Sequence, residues 1–286
     1  MATKSRVDVS TIGGVVISVA AIIGGLLLER GQLADIAQYT AAVIVLGGTA
    51  GAVMIATPMS SLRGALRGAR SAFAENPQNP KDLIEEIIRY AGEARKHGIV
   101  SLEKTAGSIE DPFLRKALTL AVDGADLVEI RKMMELEMTS EEQRAHAEAK
   151  VFESAGGYSP TIGIIGAVMG LIQVMKNLAN IDEVGHGIAV AFVATVYGVA
   201  FANIFCLPLA AKMKARTEER LHLAELKLEG VLGIAEGLNP TLLRAKLEGF
   251  DHERPVTPAA ASTGKGAAST ARQSETPAVA AEARKD

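Results

Sequence analysis

Four stretches of this chain contain no Asp, Glu, Lys or Arg and are long enough to cross a lipid bilayer. They cover residues 11–28, 36–57, 155–175 and 187–211. A hydrocarbon core of about 30 Å requires about 20 apolar residues in helical conformation, because a spanning segment must satisfy its own backbone hydrogen bonds. The sequence therefore predicts an integral membrane protein with four transmembrane helices.

The spacing of the four stretches predicts an all-α fold in which the membrane helices form two hairpins. The hairpins are expected over 1–59 and 155–211, with a helical cytoplasmic domain over 60–154 between them. A further charged cytoplasmic helix is expected over 212–250. Residues 251–286 are rich in Ala, Thr, Ser and Pro and contain almost no large apolar side chains, so they are expected to form a disordered tail.

The segment between the hairpins has the periodicity of several helices. Apolar residues recur at helical spacing from Leu83 to Ala91, and this helix is expected to end at Gly98. A second helix is expected over 111–123. A third, over 126–153, is expected to continue into the third span as one long helix that projects from the membrane. No segment alternates with a period of two, so no strands are predicted.

Basic residues indicate the orientation of the chain in the membrane. They lie before the first span and after the second and fourth spans, whereas the loop 29–35 contains one Arg and the loop around 181–186 contains no Lys or Arg. By the positive-inside rule, both termini and the long middle segment are expected in the cytoplasm. The basic residues concerned are Lys4, Arg6, Arg63, Arg67, Arg70, Lys212, Lys214 and Arg216.

Composition argues against several classes of function. The net charge of −3 and the lack of a basic strip with interleaved aromatic residues argue against nucleic-acid binding. No nucleophile–base set, metal-ligand spacing or phosphate-binding loop is found, so neither an enzyme, a metal site nor a cofactor is predicted. The single cysteine, Cys206, is expected to be an apolar filler within the fourth span.

Two prolines are the residues of the spans with the clearest structural consequences. Pro160 follows the start of the third span and Pro208 precedes the end of the fourth. Because the two helices are antiparallel, both prolines are expected near the cytoplasmic edge of the membrane, at similar depth. One interpretation is that they only begin and end helices; the other is that they form a hinge, since each lacks an amide donor.

Other features of the spans are weaker evidence about function. Small residues at four-residue spacing, Gly47 with Gly51 and Gly166 with Gly170, predict close helix packing within or between subunits. Thr195 lies near the middle of the fourth span, where a threonine hydroxyl commonly bonds to the backbone of its own helix.

Several motifs together resemble the MotA/PomA family, the A subunits of flagellar motor stators. The resemblance extends to about Phe250 and includes the two-plus-two helix layout and the long middle segment. The third span begins SPTIGIIGAVMG from Ser159, which places Pro160 on the family's first functional proline, and Pro208 falls on the second. The run RKHGIVSLE from Arg95 places that arginine on the family's torque-generating residue and Glu103 on its acidic partner.

This resemblance implies a channel and motor built with a partner. Several A subunits, five in number, would surround two helices of a B subunit (MotB/PomB-like) whose single Asp binds the ion, and the cytoplasmic charges would push on the rotor, the switch complex. The implied location is the inner membrane. The lack of carboxylates in the four spans agrees with a division of labour in which the partner supplies the ion-binding group.

The resemblance also bears on the coupling ion. Sodium-driven members tend to have threonine where this chain has Ala167, whereas the threonine at position 195 occurs in proton-driven members as well. A dehydrated sodium ion needs oxygen ligands and a methyl group supplies none. Ala167 and Thr195 are thus expected on the ion pathway, with protons as the coupling ion.

Three other functions compete with that of a stator subunit. A relative of ExbB or TolQ, which energise outer-membrane processes, would have three spans in a different order. A self-contained transporter is disfavoured by spans without ionisable groups. A structural membrane scaffold without ion flow would carry the same glycine ridges and prolines, and the residues alone leave it open.

Overall fold

The structure is a computed structural model that describes residues 6–7, 9–75, 79–176 and 181–252. The expected tail, 251–286, lies outside the described residues except for its first two positions, which belong to the last helix.

The first hairpin contains two spanning helices and a short helix between them. Helix α1 covers Val9–Leu28, α2 covers Leu33–Ile36 and α3 covers Tyr39–Ala56. Within α3, residues Val43–Gly47 form a π-helical turn. Thr57 is extended, and Pro58 begins the next helix, α4, over Met59–Ala72.

The segment between the hairpins is helical as predicted. It consists of α5 over Pro80–His97, a 3-10 turn over Ile99–Leu102, α6 over Glu103–Ser108 and α7 over Pro112–Val122. Helix α5 ends directly before Gly98, whose φ of 82° is the left-handed conformation that favours glycine and ends the helix. Asp111 caps the N-terminus of α7 by accepting a hydrogen bond from the Leu114 amide at 2.9 Å.

Helix α8 covers Leu127–Lys176, 50 residues without a break. At 1.5 Å per residue it is about 75 Å long, more than twice the thickness of a bilayer core. Asp126 caps its start, because the carboxylate accepts a hydrogen bond from the Val128 amide at 2.8 Å. The prediction that this segment continues into the third span as one long helix agrees with the structure.

The fourth span and the segment after it form helix α9. It consists of an α-helical part over Ile181–Ala200, a π-helical turn over Phe201–Cys206 and a second α-helical part over Leu207–Ala235. Helix α10 then covers Pro240–His252.

The prediction of one helix over 212–250 is wrong, because α9 ends before Gly237. Gly237 has a φ of 72°, and the amide of Leu238 donates to the carbonyl of Gly233 at 3.0 Å, the hydrogen-bond pattern of a Schellman motif. Asn239 then caps α10. The chain turns back here, and α10 packs against α5.

The prediction of no strands needs one small correction within an otherwise all-α fold. Residues Arg6–Val7 (β1) pair antiparallel with Ala74–Glu75 (β2). This two-residue pairing joins the start of the chain to the segment that follows α4. It has no apolar alternation, and it depends on tertiary proximity that the sequence pattern does not reveal.

The helices outside the spans share one apolar core. Leu83, Ile87 and Leu102 are buried in it together with residues from α7, the start of α8, the end of α9 and α10. Helices α9 and α5 approach closely, since a Cβ on Gly230 would lie 2.8 Å from the side chain of Ile87. Leu247 of α10 completes the same core, so the middle segment and the C-terminal helices form one body.

The membrane part confirms the prediction of four spans. Apolar helices of sufficient length cover Ser10–Leu28 and Tyr39–Ala56, and two more lie within Leu127–Lys176 and Gly187–Ala235. No residue in the apolar window of the first span is buried within the chain. The other three spans pack against one another, and the site described next lies between the third and the fourth.

Candidate ion-conduction and coupling site

The third and fourth spans are separated by little more than their backbones. A Cβ on Gly163 would lie 2.9 Å from the main-chain oxygen of Ala194, and one on Gly170 would lie 2.9 Å from the Cβ of Ala191. Real Cβ atoms do not fit at such distances without movement of the neighbour. The predicted close packing of the Gly166–Gly170 ridge is therefore observed, since Gly166 also lies against Ala194. At Gly47 and Gly51, by contrast, an added Cβ would meet nothing within 4 Å.

Ser159 and Gly198 join the two spans by a hydrogen bond. The Ser159 side chain is fully buried and its Oγ donates to the carbonyl oxygen of Gly198 at 3.0 Å. A Cβ on Gly198 would lie 2.6 Å from the Ser159 carbonyl oxygen and 3.2 Å from the Cα of Pro160. Only glycine allows this approach, so Pro160 lies directly against the fourth span.

The two prolines do not lie at the same depth, which corrects the sequence prediction. Pro160 is level with Gly198, whereas Gly156, one turn before Pro160 in α8, packs against Leu207 next to Pro208. Gly156 is four residues before Pro160, so at 1.5 Å per residue this register places Pro208 at least about 6 Å, or more than one helical turn, from the level of Pro160. Pro160 therefore lies further along the apolar interface of the two spans than Pro208.

Neither proline marks a helix end, so that interpretation is wrong. Pro160 lies inside the continuous helix α8, where its nitrogen cannot donate to the carbonyl of Gly156. Pro208 is the second residue after the π-helical turn Phe201–Cys206, and its nitrogen carries no hydrogen to donate to a carbonyl of that turn. Both helices thus continue through a point where one backbone hydrogen bond is missing.

Ala167 and Thr195 occupy neighbouring positions near this interface. Ala167 is one turn beyond Gly163 in α8, and the Cα of Thr195 would lie 3.3 Å from a Cβ on Gly163. Both residues are half-buried. Within the described part of the chain the Thr195 hydroxyl makes no hydrogen bond, so the expected bond to its own helix is not formed, in contrast to Thr217 of the same helix, which donates to the Met213 carbonyl at 3.0 Å.

Arg95 and Glu103 lie on opposite sides of the turn that follows α5. Arg95 is in the last turn of α5 and Glu103 is the first residue of α6. Both are exposed, and neither has an ion pair or hydrogen bond to a side chain of the described residues. Between them Leu102 is fully buried, so the apolar core fixes the turn while both charges remain accessible to a partner.

Ion pairs fix the body that carries these charges. Glu229 of α9 accepts from Arg131 at the start of α8 at 2.8 Å and from Lys246 of α10 at 2.7 Å. Burial acts to raise the pKa of Glu229, but the hydrogen bonds from Lys246 and Arg131 outweigh it and lower that pKa below its usual value. The carboxylate is therefore ionised at neutral pH and links three helices.

Several features of the site were not predicted. The π-helical turns carry no sequence signal, because they arise from packing between helices. The hydroxyl of Tyr197 donates to the carbonyl of Ile36 at 2.5 Å and so connects the fourth span to the end of α2. Small residues do recur at helical spacing in each span, Gly163 three residues before Gly166 and Ala194 four residues before Gly198, and this pattern could have located the close approach of the two spans.

Two family models match parts of this chain. The family model for the MotA/TolQ/ExbB proton channel family matches residues 105–225, and that for the motility protein A N-terminal region matches residues 12–96. The chain belongs to this proton channel family, and within it to the MotA/PomA group.

Relatives and solved structures agree with this assignment. Motility protein A of Bacillus subtilis is 35% identical over 241 residues, which cover 84% of this chain and 89% of the relative. YtxD, an uncharacterized protein of the same organism, is 36% identical over 86% of this chain and 91% of its own length. The structure of C. jejuni MotAB matches with a TM-score of 0.82 at 33% identity, covering 87% of this chain and 98% of that one.

These similarities favour a stator A subunit over the alternative functions that the sequence suggests. The motility protein A region covers the first two spans, and the matching relatives extend over both hairpins. A relationship to ExbB or TolQ exists at the level of the wider family but is not the favoured assignment. The family consists of channel subunits rather than enzymes.

Proposed function

We propose that this chain is the A subunit of a flagellar stator and conducts ions only together with a B subunit. The observation that carries the proposal is the chemistry of the spans. They hold no Asp, Glu, Lys or Arg, although the chain belongs to a proton channel family, and the third and fourth spans pack closely through glycine and alanine. A similar solved structure is that of a MotAB complex, in which an A-type chain is present with a B-type partner.

The ion pathway runs past Ala167 and Thr195, with the ion-binding Asp contributed by the B subunit. The Thr195 hydroxyl, which has no hydrogen bond within the described chain, can accept or donate to a protonated carboxyl group or to water beside it. Ala167 adds no oxygen ligand. A proton needs only a chain of hydrogen-bonding groups, whereas a bare sodium ion requires a cage of oxygens, so the coupling ion is the proton.

Pro160 and Pro208 couple this pathway to the cytoplasmic body. A change in protonation of the partner's carboxylate alters the packing at the Ser159–Gly198 contact, and the missing backbone hydrogen bonds allow α8 and α9 to bend there. Helix α8 continues without a break from Pro160 to Ile130 in the cytoplasmic core. A small rotation in the membrane therefore moves the whole cytoplasmic body.

Arg95 and Glu103 transmit this movement to the flagellar rotor. They are exposed charges of opposite sign on a turn held by the core, and the rotor's switch complex is expected to present complementary charges. The chain lies in the inner membrane with both termini in the cytoplasm, which places both residues on the rotor's side. Five copies form a ring around two helices of the B subunit.

A complementation experiment tests this function against its main competitor. The chain is produced with the B subunit of its own genome in cells that lack stator genes, and in separate cells that lack the ExbB and TolQ energisers. Swimming restored in the first strain, only when both subunits are present, is the expected result. Growth restored in the second strain without swimming in the first would assign the chain to outer-membrane energisation.

A further inference from the structure

Both ends of helix α4 lie close to the same surface of the membrane. Its first residue, Met59, follows the end of the second span at Ala56 by three residues. Its last turn leads into β2, which pairs with β1, and β1 ends three residues before the first span begins at Ser10. The end of the second span and the start of the first lie on one side of the bilayer, because consecutive spans are antiparallel.

These connections determine the direction of α4. Three residues of extended chain reach about 10 Å, whereas the 14 residues of α4 are about 21 Å long. A helix perpendicular to the membrane would carry its far end beyond the reach of β1 and the start of the first span. Helix α4 therefore runs along the membrane surface, from the end of the second span to the start of the first.

The inner face of α4 packs against the rest of the chain through small residues. Ala65 and Ala72 are buried in clusters with residues of α8 and α9. Gly64 and Gly68 lie against the Glu148 side chain of α8. The Glu148 carboxylate is thus on the protein side of α4, away from the opposite face.

The outer face of α4 alternates apolar and cationic side chains. Met59, Leu66 and Phe73 follow one another at seven-residue spacing and are 52%, 67% and 38% exposed. Arg63 and Arg70 lie between them and are also exposed. Spacings of four and three residues place all five side chains on one side of the helix.

The arginines of α4 have no acidic partner. The helix contains no Asp or Glu, and Arg63, Arg67 and Arg70 are exposed and make no ion pair with any described residue. Among the described residues, the one hydrogen bond from these side chains joins the Arg67 Nε to the Arg63 carbonyl at 3.4 Å. Their positive charge is therefore available to an anionic partner outside the chain.

We propose that the outer face of α4 binds anionic phospholipids of the leaflet on which the helix lies. Met59, Leu66 and Phe73 enter the upper part of the acyl chains, and the long side chains of Arg63 and Arg70 reach back to the headgroup phosphates. With the orientation proposed above, this is the inner leaflet. Such binding requires the membrane topology of the chain but not its assignment to a stator.

Lipids bound in this way also bear on the moving helices. The inner face of α4 packs on α8 and α9 where both leave the membrane. An α4 helix held by headgroups keeps this junction at a fixed height while the spans bend at Pro160. The membrane thus provides part of the support against which the helices move.

The depth of α4 is tested with a matched pair of labelled cysteines. Leu66→Cys and Leu136→Cys are made in a Cys206→Ala background, and both leucines are 67% exposed. Leu136 lies 19 residues before Ala155, about 28 Å along α8 from the third span. The full-length chain, reconstituted in vesicles with the subunits that accompany it, carries an environment-sensitive fluorophore at the new cysteine. Phospholipids spin-labelled near the top of the acyl chain should quench the label at position 66 but not at position 136.

The preference for anionic headgroups is measured at the same label. The spin label is carried either by phosphatidylglycerol or by phosphatidylcholine in vesicles of equal overall composition, and stronger quenching by phosphatidylglycerol is expected. Replacing Arg63 and Arg70 together by Gln should lower this preference by about fivefold or more, since one cation near an anionic surface contributes about 1 kcal/mol. Replacement of both by Lys should keep it. Removing two exposed cations elsewhere, by Arg89→Gln with Lys132→Gln, should leave it unchanged.

Three results would overturn the proposal, and none of them depends on motility. The first is a label at position 66 that lipid does not quench, which would place the outer face of α4 in water or against another protein. The second is equal quenching by the two lipids in the chain with both arginines. The third is efficient disulfide formation between copies of the unlabelled Leu66→Cys chain in the membrane, which would assign this face to a second copy.

Discussion

The buried hydroxyl of Ser159 donates a hydrogen bond to the main-chain carbonyl of Gly198 at the level where Pro160 lies against the fourth span. This contact joins α8, which contains Pro160, to the fourth span. The two backbones are so close at Gly198 that a larger side chain does not fit there. A helix pair joined in this way has a defined resting position. The missing hydrogen bond at Pro160 then gives it a defined place to bend.

Glycines at this contact should be intolerant of even a methyl group. Gly198→Ala would place a Cβ 2.6 Å from the Ser159 carbonyl oxygen, so we expect a loss of about 1–3 kcal/mol from overpacking and a lower melting temperature of the purified chain. Gly157→Ala is the control, since its Cβ would meet nothing within 4 Å. Equal melting temperatures for the two variants would contradict the close approach.

The prolines should matter for movement rather than for folding. Pro160→Ala and Pro208→Ala each restore an amide donor and remove the ring, which stiffens the helix. We expect normal abundance in the membrane with a severe loss of torque in a bead assay. Pro112→Ala, at the start of α7 where proline costs no hydrogen bond, should leave torque unchanged. Near-normal torque in both span variants at normal abundance would remove the hinge from the mechanism.

Much of this architecture was predictable because it depends on local pattern. The four spans, the end of α5 at Gly98 and the continuity of α8 follow from apolar length, periodicity and a glycine with positive φ. The break at Gly237 was missed because apolar residues continue on both sides of it, and only the Gly-Leu-Asn-Pro run from Gly237 signals a turn.

Charge reversal tests the assigned rotor contact. Arg95→Glu or Glu103→Lys should lower torque at high load while assembly and ion conduction persist, because both side chains are exposed and far along the chain from the spans. Exposed ion pairs contribute about 1 kcal/mol or less, so each single reversal should be partial and the double reversal more severe. Lys132→Glu, an exposed charge on α8, is the control. Normal high-load swimming of the double variant in low salt would contradict the assignment.

The coupling ion can be tested in swimming cells. Thr195 supplies one hydroxyl and Ala167 supplies no oxygen, a poor environment for a dehydrated sodium ion. Swimming speed should therefore follow the proton gradient when external sodium is replaced by potassium. A collapse of swimming on sodium removal at constant proton-motive force would instead identify sodium as the coupling ion.

The depth of the two prolines shows where prediction from sequence stops. Pro160 and Pro208 lie at comparable distances from the ends of their apolar stretches, which suggested equal depth. Their relative position is set by which small residues meet across the interface, Gly163 with Ala194 and Gly156 with Leu207. The π-helical turn before Pro208 shifts that register further. Such contacts depend on both helices, so they cannot be predicted from the sequence of either helix alone.

Ion flux in reconstituted vesicles tests the central claim, that the ion-binding group comes from a partner. Vesicles that contain this chain alone should show no proton flux above that of empty vesicles. Vesicles that contain the chain with its B subunit should conduct, and neutralising the B subunit's intramembrane Asp should abolish the flux. Robust proton flux through vesicles that contain this chain alone would contradict the account.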